Sequence, residues 1–535
     1  MKEHKKLKLK KFNLHPITTF ILLTIFVMII SSVLSFFQTQ ATYSTINPKN
    51  GTLETVFVAV EGLFNYDGLK YVISNASRNF ISFAPLATIL ITIIGLSVAQ
   101  STGFIETLIK RNFLKIDNQK ITFFLILLAT MSSLINDIGY VILIPLGAAI
   151  FLANGRNPLA GITTAFCGVA FGYGATIFVG SSEVGLIPYT TVAARLIDEG
   201  FHVSLTSNLF IMIAFTIILS IVGTLIIEKI IIPKIGKYRT KSDLENTKEI
   251  EIETETEQLE NVEQEKLALR KKESDGLRNA YIWGGIFILI FIYTIIPNLP
   301  FSGMLLDMNE KTYLNQLFGI NSYFQDGFTY MIAILLLVVG IAYGLGAKTI
   351  KNDRELVEKA SIHTKEIGGL VILIFFASQF ISVFKQTNIG TVIAAWGVDL
   401  ISNLSFSGLP LLILVIIVIA LTSFFLPNPI SKWAIFSPVV VPILMQSNIS
   451  PQFAQFILRG ADSMVKGATP LLSFFVIYLG YLNIYNTDKE HPIGIKKAIS
   501  YLSPYLLIIS LTWILLLVGW YLIGLPIGPS VYPVL

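Results

Sequence analysis

Apolar runs of about the length that crosses a bilayer recur along the whole chain, separated by short basic segments. In hydrocarbon every backbone N–H and C=O needs an internal partner, so a run of about 20 apolar residues is a helix. The charge distribution agrees. Of 39 Lys and Arg and 34 Asp and Glu, 7 lie in residues 1–11 and 21 in residues 234–275. The rest of the chain falls far below the roughly 25% charge of a soluble domain. The expected fold is therefore an all-α polytopic membrane protein. A net charge of +5 marks no nucleic-acid partner in a chain that mostly faces lipid.

The single cysteine, Cys167, excludes an internal disulfide framework. The five histidines lie near or beyond the ends of apolar runs, which disfavours a buried haem or His-rich metal site. Gly344-Leu-Gly-Ala-Lys-Thr349 lacks the spacing of a phosphate loop, so no cofactor and no ATP hydrolysis are expected.

Nine crossings are expected: Ile17 to Phe37, Phe83 to Val98, Pro158 to Ala194, Leu209 to Ile231, Ala280 to Ile296, Tyr330 to Gly346, Leu370 to Phe384, Pro451 to Tyr481 and Tyr501 to Ile523. Two further stretches, about 120–154 and 410–447, are interrupted by Ser132-Ser133-Leu-Ile-Asn136-Asp137 and by Pro427-Asn428-Pro429-Ile-Ser431-Lys432. Each arm is short for a crossing, so both are read as re-entrant helical hairpins. Lys2 to Lys11 before the first run set the N-terminus in the cytoplasm. With that start, Lys110 and Arg111, Lys229 to Lys241, Lys348 to Arg354 and Lys489 to Lys497 all fall inside as well.

The chain divides into a cytoplasmic tail (1–16), a first half (17–233), a charged linker (234–275) and a second half (276–535). Glu249, Glu251, Glu253, Glu255 and Glu257 make the linker a solvated connector, disordered or helical. Shifting the sequence by 293 positions aligns Ile142 with Ile435, Pro145 with Pro438, Pro158 with Pro451, and Gly174-Ala-Thr176 with Gly467-Ala-Thr469. With the topology above, the two hairpins enter from opposite sides, so the repeats are inverted. Broken helices in inverted repeats place a transport site at the midplane. Backbone freed at Gly174, Thr176, Gly467 and Thr469 is a candidate ligand set for a coupling sodium ion.

A charge in an apolar span costs about 2.5 to 3.5 kcal/mol on insertion scales. Asp137, Glu183, Lys432, Arg459, Asp462 and Lys466 carry that cost, all inside the repeated region. Arg459 and Asp462, three apart, either lock one helix as a local ion pair or act separately. Acting separately, Arg459 clamps a substrate carboxylate and Asp462 titrates or binds a cation. Lys466 either snorkels or neutralises Asp462. Glu183 is either exposed at a helix end or a coupling carboxylate, and Asp137 either caps the returning hairpin helix or couples. Trp433 belongs either to the interfacial belt or to a stacking platform beside Asn428 and Ser431.

Asn157-Pro-Leu-Ala-Gly161, Thr387-Asn-Ile-Gly390, Ser431-Lys-Trp-Ala434 with Pro438 to Pro442, Arg459-Gly-Ala-Asp-Ser463 and Gly524-Leu-Pro-Ile-Gly-Pro529 together resemble the p-aminobenzoyl-glutamate transporter (AbgT) family over nearly the whole chain. The resemblance implies a homodimer in a bacterial cytoplasmic membrane, with nine crossings, two opposed hairpins, an inner transport core and an outer dimerisation core. It implies uptake of p-aminobenzoyl-glutamate or export of sulfonamide antimetabolites. Trp433, Pro438, Arg459, Asp462 and Pro470 match the family's second-hairpin motif, and Asn388 matches its Asn-x-Gly element. Two departures, Glu183 for the usual aspartate and the tip Pro427 to Ser431, bear on substrate and ion choice.

The expected function is secondary active transport of an aromatic carboxylate driven by protons or sodium. Arg459 would hold its carboxylate, Trp433 its ring, and Asn388, Asn428 and Ser431 its amide or amine. The alternative is a sodium-coupled di- or tricarboxylate transporter. An intramembrane enzyme would need a convergent nucleophile and base or a metal cluster, which the scarcity of histidine and cysteine argues against.

Overall fold

The computed structural model describes residues 14–47, 51–112, 116–135, 137–238, 258–319, 321–362 and 367–535. The basic tail before Leu14, Asn136 of the first hairpin tip and the glutamate run 249–257 lie outside the described residues.

Helix α1 (Pro16–Phe36) starts on a proline whose missing N–H needs no partner. After it the all-α expectation is corrected: strands β1 (Gln40–Ile46) and β2 (Leu53–Ala59) pair antiparallel, with Gln40 opposite Ala59 and Ile46 opposite Leu53. Thr42, Tyr43, Thr45, Val56, Phe57 and Val58 are β-branched or aromatic, and a run of seven is too short to compete as a spanning helix. Gly51 takes the left-handed φ of +69° beside the second strand.

The chain continues through α2 (Tyr66–Ile81), α3 (Ala84–Ser101), α4 (Phe104–Asn112), α5 (Asn118–Met131), a 3-10 turn (Ser132–Ile135), α6 (Ile138–Ala153), α7 (Pro158–Phe171), α8 (Ser181–Arg195) and α9 (Leu209–Ile226), which runs by a π turn into α10 (Ile232–Ile235). Then come α11 (Gln258–Tyr293), α12 (Tyr313–Phe318), α13 (Tyr323–Gly346), α14 (Asp353–Ile362), α15 (Gly368–Gln386), α16 (Ile389–Asn403), α17 (Gly408–Ser423), α18 (Pro429–Gln446), α19 (Pro451–Val465), α20 (Phe475–Ile484) and α21 (Ile495–Ile523). Helix α11 runs unbroken through residue 275, so the expected linker boundary falls inside a helix.

Among the described residues nine helical segments are long and apolar enough to cross a membrane. The number equals the expected one, but the membership differs. Pro158 to Ala194 and Pro451 to Tyr481 are each broken in two, at residues 172–180 and 466–474, where glycines and Pro470 interrupt the ladder. In their place Asn118–Ile135 and Pro429–Gln446 qualify by length. The two stretches expected as hairpins are indeed helix, break, helix: α5 and α6 about the 3-10 turn, α17 and α18 about Phe424 to Asn428. Exposed Phe26, Leu289, Leu515 and Leu522 give the outer helices the apolar surface that lipid accepts.

The repeat extends to capping detail. Helices α5 to α8 correspond to α17 to α20 at the 293-residue offset. Asn154 and its counterpart Ser447 both end a helix with an N–H shared among three carbonyls. The next residues, Gly155 and Asn448, have φ of +66° and +60°. Contacts between the units are reciprocal: the Gly174 N–H donates to Ser463 Oγ at 2.6 Å, while a Cβ on Gly467 would stand 2.9 Å from that of Ala170. Lys466 touches its own counterpart, its Nζ lying 3.2 Å from the Tyr173 ring centroid.

The Gly174 contact is a close approach of backbones. A Cβ there would stand 2.7 Å from the Arg459 carbonyl oxygen and 2.8 Å from Ser463 Oγ. Overpacking of this kind costs about 1–3 kcal/mol. Gly174→Ala is therefore expected to lower the melting temperature more than Gly467→Ala, whose Cβ meets the movable Phe171 ring as well as Ala170. Equal shifts in a thermal melt would contradict this.

Candidate substrate site

The six charges of the repeat helices meet as Arg459–Glu183, Lys432–Asp462 and Lys466–Asp137. The local Arg459–Asp462 pair does not form. Glu183 of α8 and Lys432 of α18 each present a counter-charge to α19 directly, so neither Arg459 nor Asp462 bends along its own helix. Arg459 also reaches Met212 Sδ and the Tyr173 carbonyl, at 2.9 and 3.4 Å. Lys432 donates to both Ser423 Oγ and Asp462 Oδ1.

At three other residues the structural reading gives way. Glu183 is 1% exposed rather than open at a helix end. Standing at the third position of α8, it accepts the Gly180 N–H at 3.0 Å, which satisfies an otherwise orphaned donor. Asp137 occupies the N-cap position of α6 but makes no side-chain capping bond. Lys466 neither snorkels nor pairs with Asp462: its Nζ lies over Tyr173 and 3.9 Å from Asp137 Oδ1.

A cavity of about 600 Å³ opens between the units. Its wall combines Asp137 and Tyr173 of the first unit with Phe425 to Ser431, Lys466 and Leu471 to Phe474 of the second. Helix α15 adds Phe384 and Lys385, and Asn388 begins α16 in the left-handed conformation, φ +59°. The break after α17 positions Asn428, whose side chain caps α18 by accepting the Ser431 N–H at 2.9 Å. Asn388 Nδ2 donates to the Ala59 carbonyl of β2 at 3.3 Å. Of the expected site residues the cavity thus gathers Asn388, Asn428, Ser431 and Asp137. Arg459, Glu183, Asp462 and Trp433 are buried behind it. Aromatic rings, amides, a hydroxyl and cations in one concave wall suit an anion carrying an apolar ring.

A family-wide sequence comparison matches residues 11–535 to the AbgT transporter family. The p-aminobenzoyl-glutamate transport protein of Escherichia coli K12 is 31% identical over 520 residues, 97% of this chain and 94% of that one. The chain belongs to the AbgT transporter family. Among solved structures, the Alcanivorax borkumensis YdaH transporter is 27% identical, covering 96% of this chain and all of that one at a TM-score of 0.46. Neisseria gonorrhoeae MtrF, described with a class of antimetabolite efflux pumps, is 29% identical over 97% and 98% of the two chains, also at 0.46.

In this AbgT transporter Trp433 is neither interfacial nor exposed to the cavity. It is fully buried, and its indole N–H donates to Thr190 Oγ1 at 2.8 Å, which in turn donates to Gln455. Thr469 is engaged with the Phe424 carbonyl. Thr176 Oγ1 and Asp462 Oδ2 are buried and make no hydrogen bond among the described residues. A sodium ion would draw on such oxygens, since no group of three or more His, Cys, Asp or Glu gathers among the described residues. Pro438 and Pro442 lie inside α18, and Pro470 follows the second Gly-Ala-Thr break. Gly168 of α7 packs against Ala129 of α5.

Sequence reasoning missed Tyr173, Phe384, Lys385 and Phe474 in the cavity wall. Tyr173 carried a signal: it precedes the first Gly-Ala-Thr break and stands 293 residues before Lys466. Lys385 stands in the last turn of α15, where basic residues ordinarily set topology.

Proposed function

We propose that this chain is a secondary active transporter that moves p-aminobenzoyl-glutamate, or a related aromatic carboxylate, across a bacterial cytoplasmic membrane. The observation that carries the reading is the cavity between two helix-broken units, walled by aromatic rings, amides and cations. Phe384, Phe425, Phe474 and Tyr173 favour an aromatic substrate over a plain di- or tricarboxylate. Asn388, Asn428 and Ser431 would meet its amide and amine.

The charge pairs supply the coupling. Two of the three join the units, so a change of charge at Glu183 or Asp137 alters how the units hold together. Protons or sodium drive the cycle, with Asp462, Glu183 and Asp137 as titrating or cation-binding groups. The N-terminus is cytoplasmic, the hairpins are re-entrant from opposite faces, and two copies pair through the outer helices, as the basic loops and the family resemblance suggest. Export of a sulfonamide antimetabolite would use the same cavity with the cycle reversed.

Purified protein in liposomes, loaded so that pH and sodium gradients are imposed separately, tests this. Labelled p-aminobenzoyl-glutamate should accumulate under one gradient and not without it. Succinate accumulation without uptake of the aromatic conjugate would overturn the aromatic assignment.

A further inference from the structure

Lys466 differs from the other two buried cations. Arg459 and Lys432 each hold a carboxylate and at least one further acceptor. Lys466 is 3% exposed, and its ammonium donates no hydrogen bond among the described residues. Its nearest carboxylate oxygen, Asp137 Oδ1, is 3.9 Å away and is itself without a hydrogen-bond partner. An ammonium has three N–H donors, and a buried donor left unmade is costly. The Tyr173 ring face under Nζ offsets part of that cost, about 0.5–2 kcal/mol. The remaining donors border the cavity, because Lys466, Tyr173 and Asp137 all line it.

We propose that Lys466 is the anchor for the substrate carboxylate, resting on the aromatic-carboxylate reading above. Arg459, the residue whose chemistry best suits a clamp, is occupied by Glu183 and lies behind the wall. The anion takes the empty donor positions of Lys466, and the substrate ring lies along Tyr173 and Phe474. Because Tyr173 belongs to the first unit and Lys466 to the second, an anion held there contacts both. Asp137 opposes it: its charge competes for the same ammonium and repels the incoming carboxylate.

The test measures binding to the purified full-length protein with p-aminobenzoyl-glutamate and with its uncharged dimethyl ester. The wild type should bind the acid at least about tenfold more tightly than the ester, a difference of about 1.4 kcal/mol. Lys466→Gln should lose that preference while still binding the ester, and Lys466→Arg should keep it. Asp137→Asn should tighten the acid alone, and this arm stands even if Lys466→Gln fails to fold. An unchanged acid preference in Lys466→Gln, an equal loss for acid and ester, or no preference in the wild type would overturn the assignment. Acid binding through Lys466 without gradient-driven flux would instead overturn the transport reading and leave the anchor in place.

Discussion

Arg459→Ala is expected to abolish gradient-driven accumulation of p-aminobenzoyl-glutamate and to lower stability by about 3–5 kcal/mol, the usual consequence of removing one partner of a buried ion pair. Arg459 and Glu183 are 1% exposed each, so Glu183 would keep a buried charge held only by the Gly180 N–H and the start of α8. The double variant Arg459→Gln with Glu183→Gln removes both charges and should recover most of the melting temperature. It should not recover transport, because the cross-unit attraction that changes with charge is gone. Transport retained by the single variant, or restored by the double, would reduce the pair to a structural tie. Insertion into the membrane should be unaffected, since the apolar spans that drive it are untouched.

The architecture was legible where it followed from length and backbone chemistry. Apolar runs, basic loops and the two interrupted stretches lead to helices and breaks, because lipid leaves the backbone no other option. The short β-hairpin was not, because seven-residue strands outside a spanning run carry no such constraint. The candidate charges were all recognisable as costly, yet their partners were not. Pairing depends on which helix faces which: Asp462 looks three residues along its own helix to Arg459 in the sequence, but across to Lys432 in space. Trp433 shows the same limit. Its place in a family motif marks it as important, while its burial against Thr190 is set by how α18 packs on α8. The cavity wall was half visible for a related reason: Asn388, Asn428 and Ser431 sit at helix starts that the sequence marks, whereas Phe384 and Phe474 look like any other apolar residue.

Asp462→Asn is expected to have the second large effect, again about 3–5 kcal/mol of stability, together with loss of accumulation against a gradient. It leaves the fully buried Lys432 ammonium with the Ser423 hydroxyl and no full counter-charge. The internal repeat shows that the fold does not require this pair. At the equivalent positions of the first unit, 293 residues earlier, stand Gly139 and Val169, and the same helix-break-helix unit packs there without charge. The counterpart of Arg459 is Phe166, stacked on Tyr478 with ring centroids 4.4 Å apart. Two units of one architecture, one with Gly139, Val169 and Phe166 where the other has Lys432, Asp462 and Arg459, indicate that these three charges are kept for something other than packing. Replacing both partners, Lys432→Met with Asp462→Val, should therefore give a protein at least as stable as the wild type, as apolar substitution of a buried pair often does. It should exchange substrate down a gradient but not concentrate it. A doubly substituted protein that still concentrates p-aminobenzoyl-glutamate would show that coupling runs through Glu183 or Asp137 instead, and the stability arm would then measure only what the buried pair costs the fold.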